Sequence, residues 1–234
     1  MKMLTRDSQP LIKRLLPLLL LPLCVLFSSC FQLIEEITVN TDGSGTLALT
    51  ANLSQSRSKL ASVMLLDSVN GHKVPSKAEI RKEMEEVART LRSVTGIKNV
   101  THTADFDNYI FTVRFSFANV GNLNDITALI FDKLDVPMID NSSYSYLPGG
   151  KAFIRNYMPD PRAKSEYQQL KEVDKAVFEN ATYTSIYRFD RTVAAQSNSR
   201  AKIAASKKAV MLQCGVRDLI EGKANISNHI QLAQ

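Results

Sequence analysis

The chain has 234 residues and a formal net charge of +6, from 29 lysines and arginines against 23 aspartates and glutamates. Half of that excess lies in the first 29 residues, where Lys2, Arg6, Lys13 and Arg14 stand against Asp7, so residues 30–234 carry 6 − 3 = +3 with no basic run longer than two. This is not the clustered positive footprint of a nucleic-acid binder, and no nucleic-acid partner is expected; His72, His102 and His229 lie in separate segments with no pair at metal-ligand spacing.

Lys13-Arg14 precede an apolar run from Leu15 to Phe27 that ends in Ser28-Ser29-Cys30. A basic start, a short leucine-rich core and small residues before a cysteine are the parts of a bacterial export signal. The core of about 13 residues is too short to cross a bilayer of about 30 Å as a helix, and Pro17 and Pro22 interrupt it. Residues 1–29 therefore read as a cleaved signal peptide. Leu26-Phe27-Ser28-Ser29-Cys30 resembles the lipobox of bacterial lipoproteins, with Phe27 where leucine is usual. That resemblance implies cleavage before Cys30, acylation of its thiol with palmitate-like chains, and attachment to a membrane through acylated Cys30. The alternatives are an ordinary secretory signal cut near Ser28 or Ser29, and an uncleaved anchor. Phe31 takes the place of an inner-membrane retention aspartate, which favours the outer membrane. Cleavage leaves 234 − 29 = 205 residues, enough for one substantial core or two small ones. Cys24 leaves with the signal and Cys30 is acylated, so Cys214 stands alone and no internal disulfide is expected. Beside Val210-Met211-Leu212 it reads as a small buried apolar residue.

Leu33, Ile37 and Val39 alternate with Ile34, Thr38 and Asn40; Leu47, Leu49, Ala51 and Leu53 alternate with Thr46, Thr50 and Asn52. Period-two alternation on both sides of Asp42-Gly43-Ser44-Gly45 predicts a β-hairpin whose Asp-Gly pair supplies the positive φ angles of a tight turn. A helical segment through Leu60, Val63 and Met64 follows. A better-defined helix starts at Ser76, where Ser76-Lys77-Ala78-Glu79 is a capping box. Ile80, Met84, Val87, Leu91 and Val94 give it one apolar stripe, Glu85 and Arg89 an i,i+4 pair, and Gly96 its stop. A second hairpin is predicted, with Val100, His102, Ala104 and Phe106 on one face, a turn at Asp107-Asn108, and a strand from Tyr109 to Phe117. The alternating Phe111, Val113 and Phe115 make that strand the central one of the core. A short helix through Ile126, Leu129, Ile130 and Leu134 comes next. Two short β runs, Tyr144 to Leu147 and Ala152 to Tyr157, flank Pro148-Gly149-Gly150. A helix from Arg162 to Val177 and strands at Tyr183 to Val193, Ala209 to Gln213 and Ile226 to Leu232 complete the chain.

The fold class is therefore α+β: a mainly antiparallel sheet of β-hairpins with amphipathic helices packed on one face, preceded by the cleaved signal. Residues 30–234 form a single envelope domain, with a subdivision near residue 140 as the alternative. No HExxH, CxxC, GxSxG, GxGxxG or P-loop pattern occurs. Glu35 and Glu36 point to opposite faces of a strand, where they do not converge as an acid–base pair must. No catalytic set, metal or cofactor is expected.

The acylated cysteine, the strand Ile34-Glu35-Glu36-Ile37-Thr38-Val39-Asn40, the turn Thr41-Asp42-Gly43-Ser44-Gly45 and the following Asn52-Leu53-Ser54 together resemble an uncharacterised Bacteroidetes-type lipoprotein family with an N-terminal DGSG hairpin, and more distantly the mycobacterial LppM-type lipoprotein domain. Asn52 stands where the first family often has aspartate. The resemblance implies an α+β envelope domain, and for the LppM type a lipid-binding groove. Two roles lead as expectations, with a hydrolase whose site is assembled only in space as the third alternative. One is a non-enzymatic domain that meets another envelope protein. The other is a carrier or sensor of a lipid or other apolar ligand, lined by Phe111, Val113, Phe115, Tyr183 and Tyr187.

Overall fold

The computed structural model describes residues 31–124, 126, 129 and 141–233. The signal peptide and Cys30 lie outside the described residues, as do Ile130 and Leu134 of the expected helix; Ile126 and Leu129 are helical.

Strand β1 (Gln32–Val39) and β2 (Gly45–Asn52) form the first hairpin, in register from Val39↔Gly45 to Gln32↔Asn52. The turn differs from the expectation. Gly43 N–H donates to the Asn40 carbonyl at 3.0 Å, and only Gly43 takes a positive φ, +85°. Asp42 works instead through its carboxylate, which accepts the Ser44 hydroxyl at 2.7 Å and the Ser44 amide at 2.9 Å. A turn followed by one left-handed glycine is the G1-bulge pattern.

Helix α1 (Arg57–Val63) leads into a small hairpin, β3 (Ser68–Val69) and β4 (His72–Lys73), whose Asn70 and Gly71 have φ +54° and +89°. Helix α2 (Lys77–Arg92) starts on the expected capping box: Glu79 N–H donates to the Ser76 hydroxyl at 3.2 Å, and Ser76 N–H to the Glu79 carboxylate at 2.8 Å. Its Val87, Ala88 and Leu91 are buried. Glu85 pairs not with Arg89 but with Arg92 at 2.8 Å and with His102 at 2.9 Å, because the helix packs on the strand that carries His102. That strand is β5 (Ile97–Asp105), which pairs with β6 (Ile110–Phe117). Tyr109 lies in the turn with φ +54°, one residue before β6 begins.

Strands β7 (Asn141–Tyr146) and β8 (Ala152–Met158) pair antiparallel. The helix expected over 162–177 is broken. α3 (Pro161–Gln169) ends where Leu170 and Lys171 take extended backbone, ψ 147° and 152°, before α4 (Glu172–Lys175). The strand expected over 183–193 is likewise two, β9 (Thr182–Phe189) and β10 (Val193–Gln196). β11 (Lys202–Ile203), β12 (Ala209–Gly215), α5 (Val216–Ile220) and β13 (Asn228–Leu232) complete the described chain.

The larger sheet has the order β11-β12-β9-β1-β2-β6-β5, and the smaller β10-β13-β8-β7. Its centre is therefore β1 and not β6, which is second from the edge. β1 and β9 run parallel, from Gln32↔Thr182 to Val39↔Phe189, while every other pair in this sheet is antiparallel. The aromatic file of β6 marks a buried face, not a central position, since burial comes from what packs on a strand and not from its place in the sheet. Sheet register puts Leu33, Glu35, Ile37 and Val39 of β1, Tyr183 and Tyr187 of β9, and Phe115 and Phe117 of β6 on one face. The smaller sheet and α2 cover that face, and between them Ile37 and Phe115 of the large sheet, Phe153 of β8 and Leu91 of α2 are fully buried. The other face carries Thr38, Thr50, Thr112 and Ile186, all half-buried, and the exposed Arg114, Arg188 and Met211.

Candidate functional site

Parity places one acid and one base in otherwise apolar files. Glu35 follows Leu33 and precedes Ile37 on the inward face of β1, and Arg155 lies between Phe153 and Tyr157 on the inward face of β8. The packing of the sheets brings the two together. Arg155 is fully buried and Glu35 is 4% exposed. The guanidinium Nη1 donates to the Tyr183 and Tyr187 hydroxyls, both at 2.7 Å, Nε donates to Ser142 Oγ at 2.8 Å, and Nη2 stands 3.4 Å from Glu35 Oε2. Glu35 accepts from the Tyr183 hydroxyl at 2.8 Å and from the Tyr144 hydroxyl at 3.3 Å. The guanidinium carbon also lies 5.4 Å from the centre of the Tyr144 ring.

Burial alone would depress the pKa of Arg155. Instead the Glu35 carboxylate and the three surrounding phenols hold it well above the ordinary arginine value. Burial pushes the Tyr187 phenol well up, against the lowering effect of Arg155. A fixed cation in a closed apolar layer is stable only with its counter-charge and acceptors in place. The cluster therefore ties β1 and β9 of the large sheet to β7 and β8 of the small one at a single register; a one-residue slip of either strand would turn its charge to the other face.

The structure brings Tyr183 and Tyr187 together at Arg155, with the Phe153 ring 5.0 Å from that of Tyr187. It does not bring them to the other three expected lining residues. Phe111, Val113 and Phe115 lie on β6, separated from β9 by β2 and β1. Phe115 is fully buried, and Phe111 and Val113 are half-buried, Phe111 packing edge-on against Phe106 at 5.4 Å. Glu35, Arg155, Tyr144 and Ser142 are the members that reading the sequence missed. Cys214 is buried, and burial raises its thiol to about 11. Among the described residues no group of three or more His, Cys, Asp or Glu is placed to hold a metal ion.

A second feature is the entry of the chain. Phe31 already belongs to the fold: its carbonyl accepts the Thr182 amide at 3.0 Å, and its ring meets Phe178 edge-on at 5.9 Å, which in turn meets Tyr167 at 5.7 Å. The next residue, Gln32, opens the central strand. No helix among the described residues is long and apolar enough to cross a membrane.

No family model and no curated protein matches the sequence. Among solved structures, the chain is similar to the folded domain of Mycobacterium tuberculosis LppM, determined by NMR, with a TM-score of 0.40 and 13% sequence identity over 86% of this chain and 87% of that one.

Proposed function

We propose that the chain is a bacterial envelope lipoprotein, anchored through acylated Cys30 after loss of residues 1–29, whose folded part is a non-enzymatic interaction domain held directly at the bilayer. The observation that supports this most is the start of the fold. Phe31 is hydrogen-bonded and packed, and Gln32 begins the central strand, so the residue after the lipobox cysteine is already part of the fold. A single residue separates Cys30 from β1 in the sequence. The acyl chains would hold the domain against the headgroups with no linker between them. The absence of an inner-membrane retention aspartate at Phe31 supports the outer membrane as its location. Another envelope protein is the partner class that a domain held in this way would meet.

Metabolic labelling with an alkyne fatty acid tests the anchor. Wild type should take up label and fractionate with the membrane, while Cys30→Ser should take up none; equal labelling of the two refutes the lipoprotein reading. Crosslinking in intact cells tests the partner, which should appear as a discrete adduct dependent on Cys30.

A further inference from the structure

The end of the large sheet from which Phe31 emerges carries its own apolar and basic groups. Asn52, the last residue of β2, pairs with Gln32, and the chain then runs through α1 to Leu65 and Leu66, which are 86% and 53% exposed. Thr182, the first residue of β9, pairs with Gln32 from the other side, and α4 just before it carries Val173, 54% exposed. The two connections meet: His72, on the hairpin after Leu66, lies 3.7 Å from Asp174 of α4. Exposed leucines of this size are costly in water unless something covers them. The segment that carries the leucines, residues 57–82, holds Arg57, Lys59, Lys73, Lys77, Arg81 and Lys82 against Asp67 and Glu79, a charge of 6 − 2 = +4, with Lys73 paired to Glu79 and Lys82 to Glu86.

We infer that this end of the fold docks on an anionic bilayer surface, Leu65 and Leu66 entering the headgroup layer and the surrounding bases facing lipid phosphates. The inference rests on acylation of Cys30, because the anchor is what presents this end to the membrane. Exposed leucines with a basic rim are the composition that binds at an anionic interface. Docking adds a fixed orientation to the anchor. β1 rises from the bilayer, with the Asp42–Gly43 turn at its far end, about 25 Å away at the usual rise per strand residue.

The test uses the full acylated chain reconstituted in phosphatidylglycerol-containing vesicles, with Cys30 acylation verified by mass spectrometry. In a Cys214→Ala background, nitroxides are placed by Leu65→Cys, by Val173→Cys, and by Thr41→Cys at the far turn. Leu65 and Val173 are exposed, so labels there leave the fold intact. Collision with a water-soluble nickel chelate should be reduced about fivefold or more at Leu65 relative to Thr41, as expected for a side chain within the interfacial layer. The reduction should weaken in vesicles of phosphatidylcholine alone. Equal collision at Leu65 and Thr41 with Cys30 acylated overturns docking and leaves the anchor standing. A Cys30 that carries no acyl chain overturns both. Shielding at Leu65 that persists without lipid means that protein covers the leucines and overturns the bilayer as occupant, and equal shielding on the two lipids overturns the role of the bases.

Discussion

Removing one member of the Glu35–Arg155 pair should be far worse than removing both. At 3.4 Å and an effective dielectric of about 20, the attraction between the two charges is roughly 5 kcal/mol. The desolvation of each ion is of the same order, several kcal/mol, so the intact pair contributes little net stability. Breaking it is different. In Arg155→Met the Glu35 carboxylate, 4% exposed, loses the guanidinium and keeps the Tyr183 and Tyr144 hydroxyls as donors, and the expected loss is about 3–5 kcal/mol. In Glu35→Leu the fully buried guanidinium keeps Tyr183, Tyr187 and Ser142 as neutral acceptors, with a loss of the same size. For a domain of this length that is a drop in Tm of about 6–20 °C. The double variant Glu35→Leu/Arg155→Met replaces both charges with apolar groups of similar bulk, and should be more stable than either single variant, with a coupling on the order of 3 kcal/mol. Urea unfolding of the four proteins in one detergent, followed by circular dichroism, measures it. Additive losses, with a coupling below about 0.5 kcal/mol, would refute the reading of the cluster as one electrostatic unit.

Phe115→Ala should lower stability by about 3–5 kcal/mol, since Phe115 is fully buried and a packed interior does not refill the void; a folded variant with an unchanged melting temperature and a different copurifying lipid would instead favour the carrier role. Gly43→Val should cost about 1–2 kcal/mol, because the residue has φ +85° and a Cβ there would stand 3.1 Å from the Tyr146 ring; an unshifted thermal melt would contradict the turn geometry. The Glu79 carboxylate, held down to about 2 by the Lys73 side chain and then the Ser76 amide and hydroxyl, lies below the ordinary 4.5. Its contribution to the start of α2 is therefore complete above pH 4.5, fades as pH falls and is gone below about 2, which carboxyl NMR titration and amide exchange at Ser76–Glu79 will register. A titration midpoint near 4.5 would show that neither the Lys73 pair nor the capping box holds this carboxylate.

Local chemistry was legible wherever a few neighbouring residues decide it. The Ser76–Glu79 capping box and the hairpins around Asp42-Gly43 and Asp107-Asn108 follow from side chains that bond within their own turn; the helix itself ends at Arg92, short of the stop expected at Gly96, whose φ of +84° instead turns the chain into β5. The β3–β4 hairpin carried an equally local signal, Asn70-Gly71, the pair that accepts two left-handed residues, but the helical spacing of Leu60, Val63 and Met64 overshadowed it. The break after Gln169 has no Pro or Gly to announce it. The cluster was half legible. Glu35 and Arg155 each occupy an inward parity position between apolar residues, which flags both as buried charges, yet nothing in either strand says that the two meet 120 residues apart. The centre of the large sheet was illegible for the same reason: β1 reads as half of a hairpin until β9 arrives.

That late arrival ties the proposed anchor and the core into one problem. The central strand starts two residues after Cys30, and Gln32 pairs with Thr182, 150 positions later. Until β9 emerges, β1 is an edge with unpaired amides and carbonyls, the kind of edge that recruits wrong partners, and its buried acid lacks the Tyr183 hydroxyl that donates to it. Parallel pairing across such a span is slow to form, because the loop must close before the contacts reward it. If the chain is tethered at Cys30 as proposed, it spends that interval with its open edge held at the membrane surface. The inward Glu35 counters the hazard, since a charged side chain pointing into the interface penalises any apolar strand that docks there first. β9 is the strand that fits, as it supplies two phenols, at 183 and 187, and Arg155 completes the site from the second sheet. The cluster thus joins the strand that must wait longest to both of its later partners, β8 and β9, while the intact ion pair itself adds little net stability.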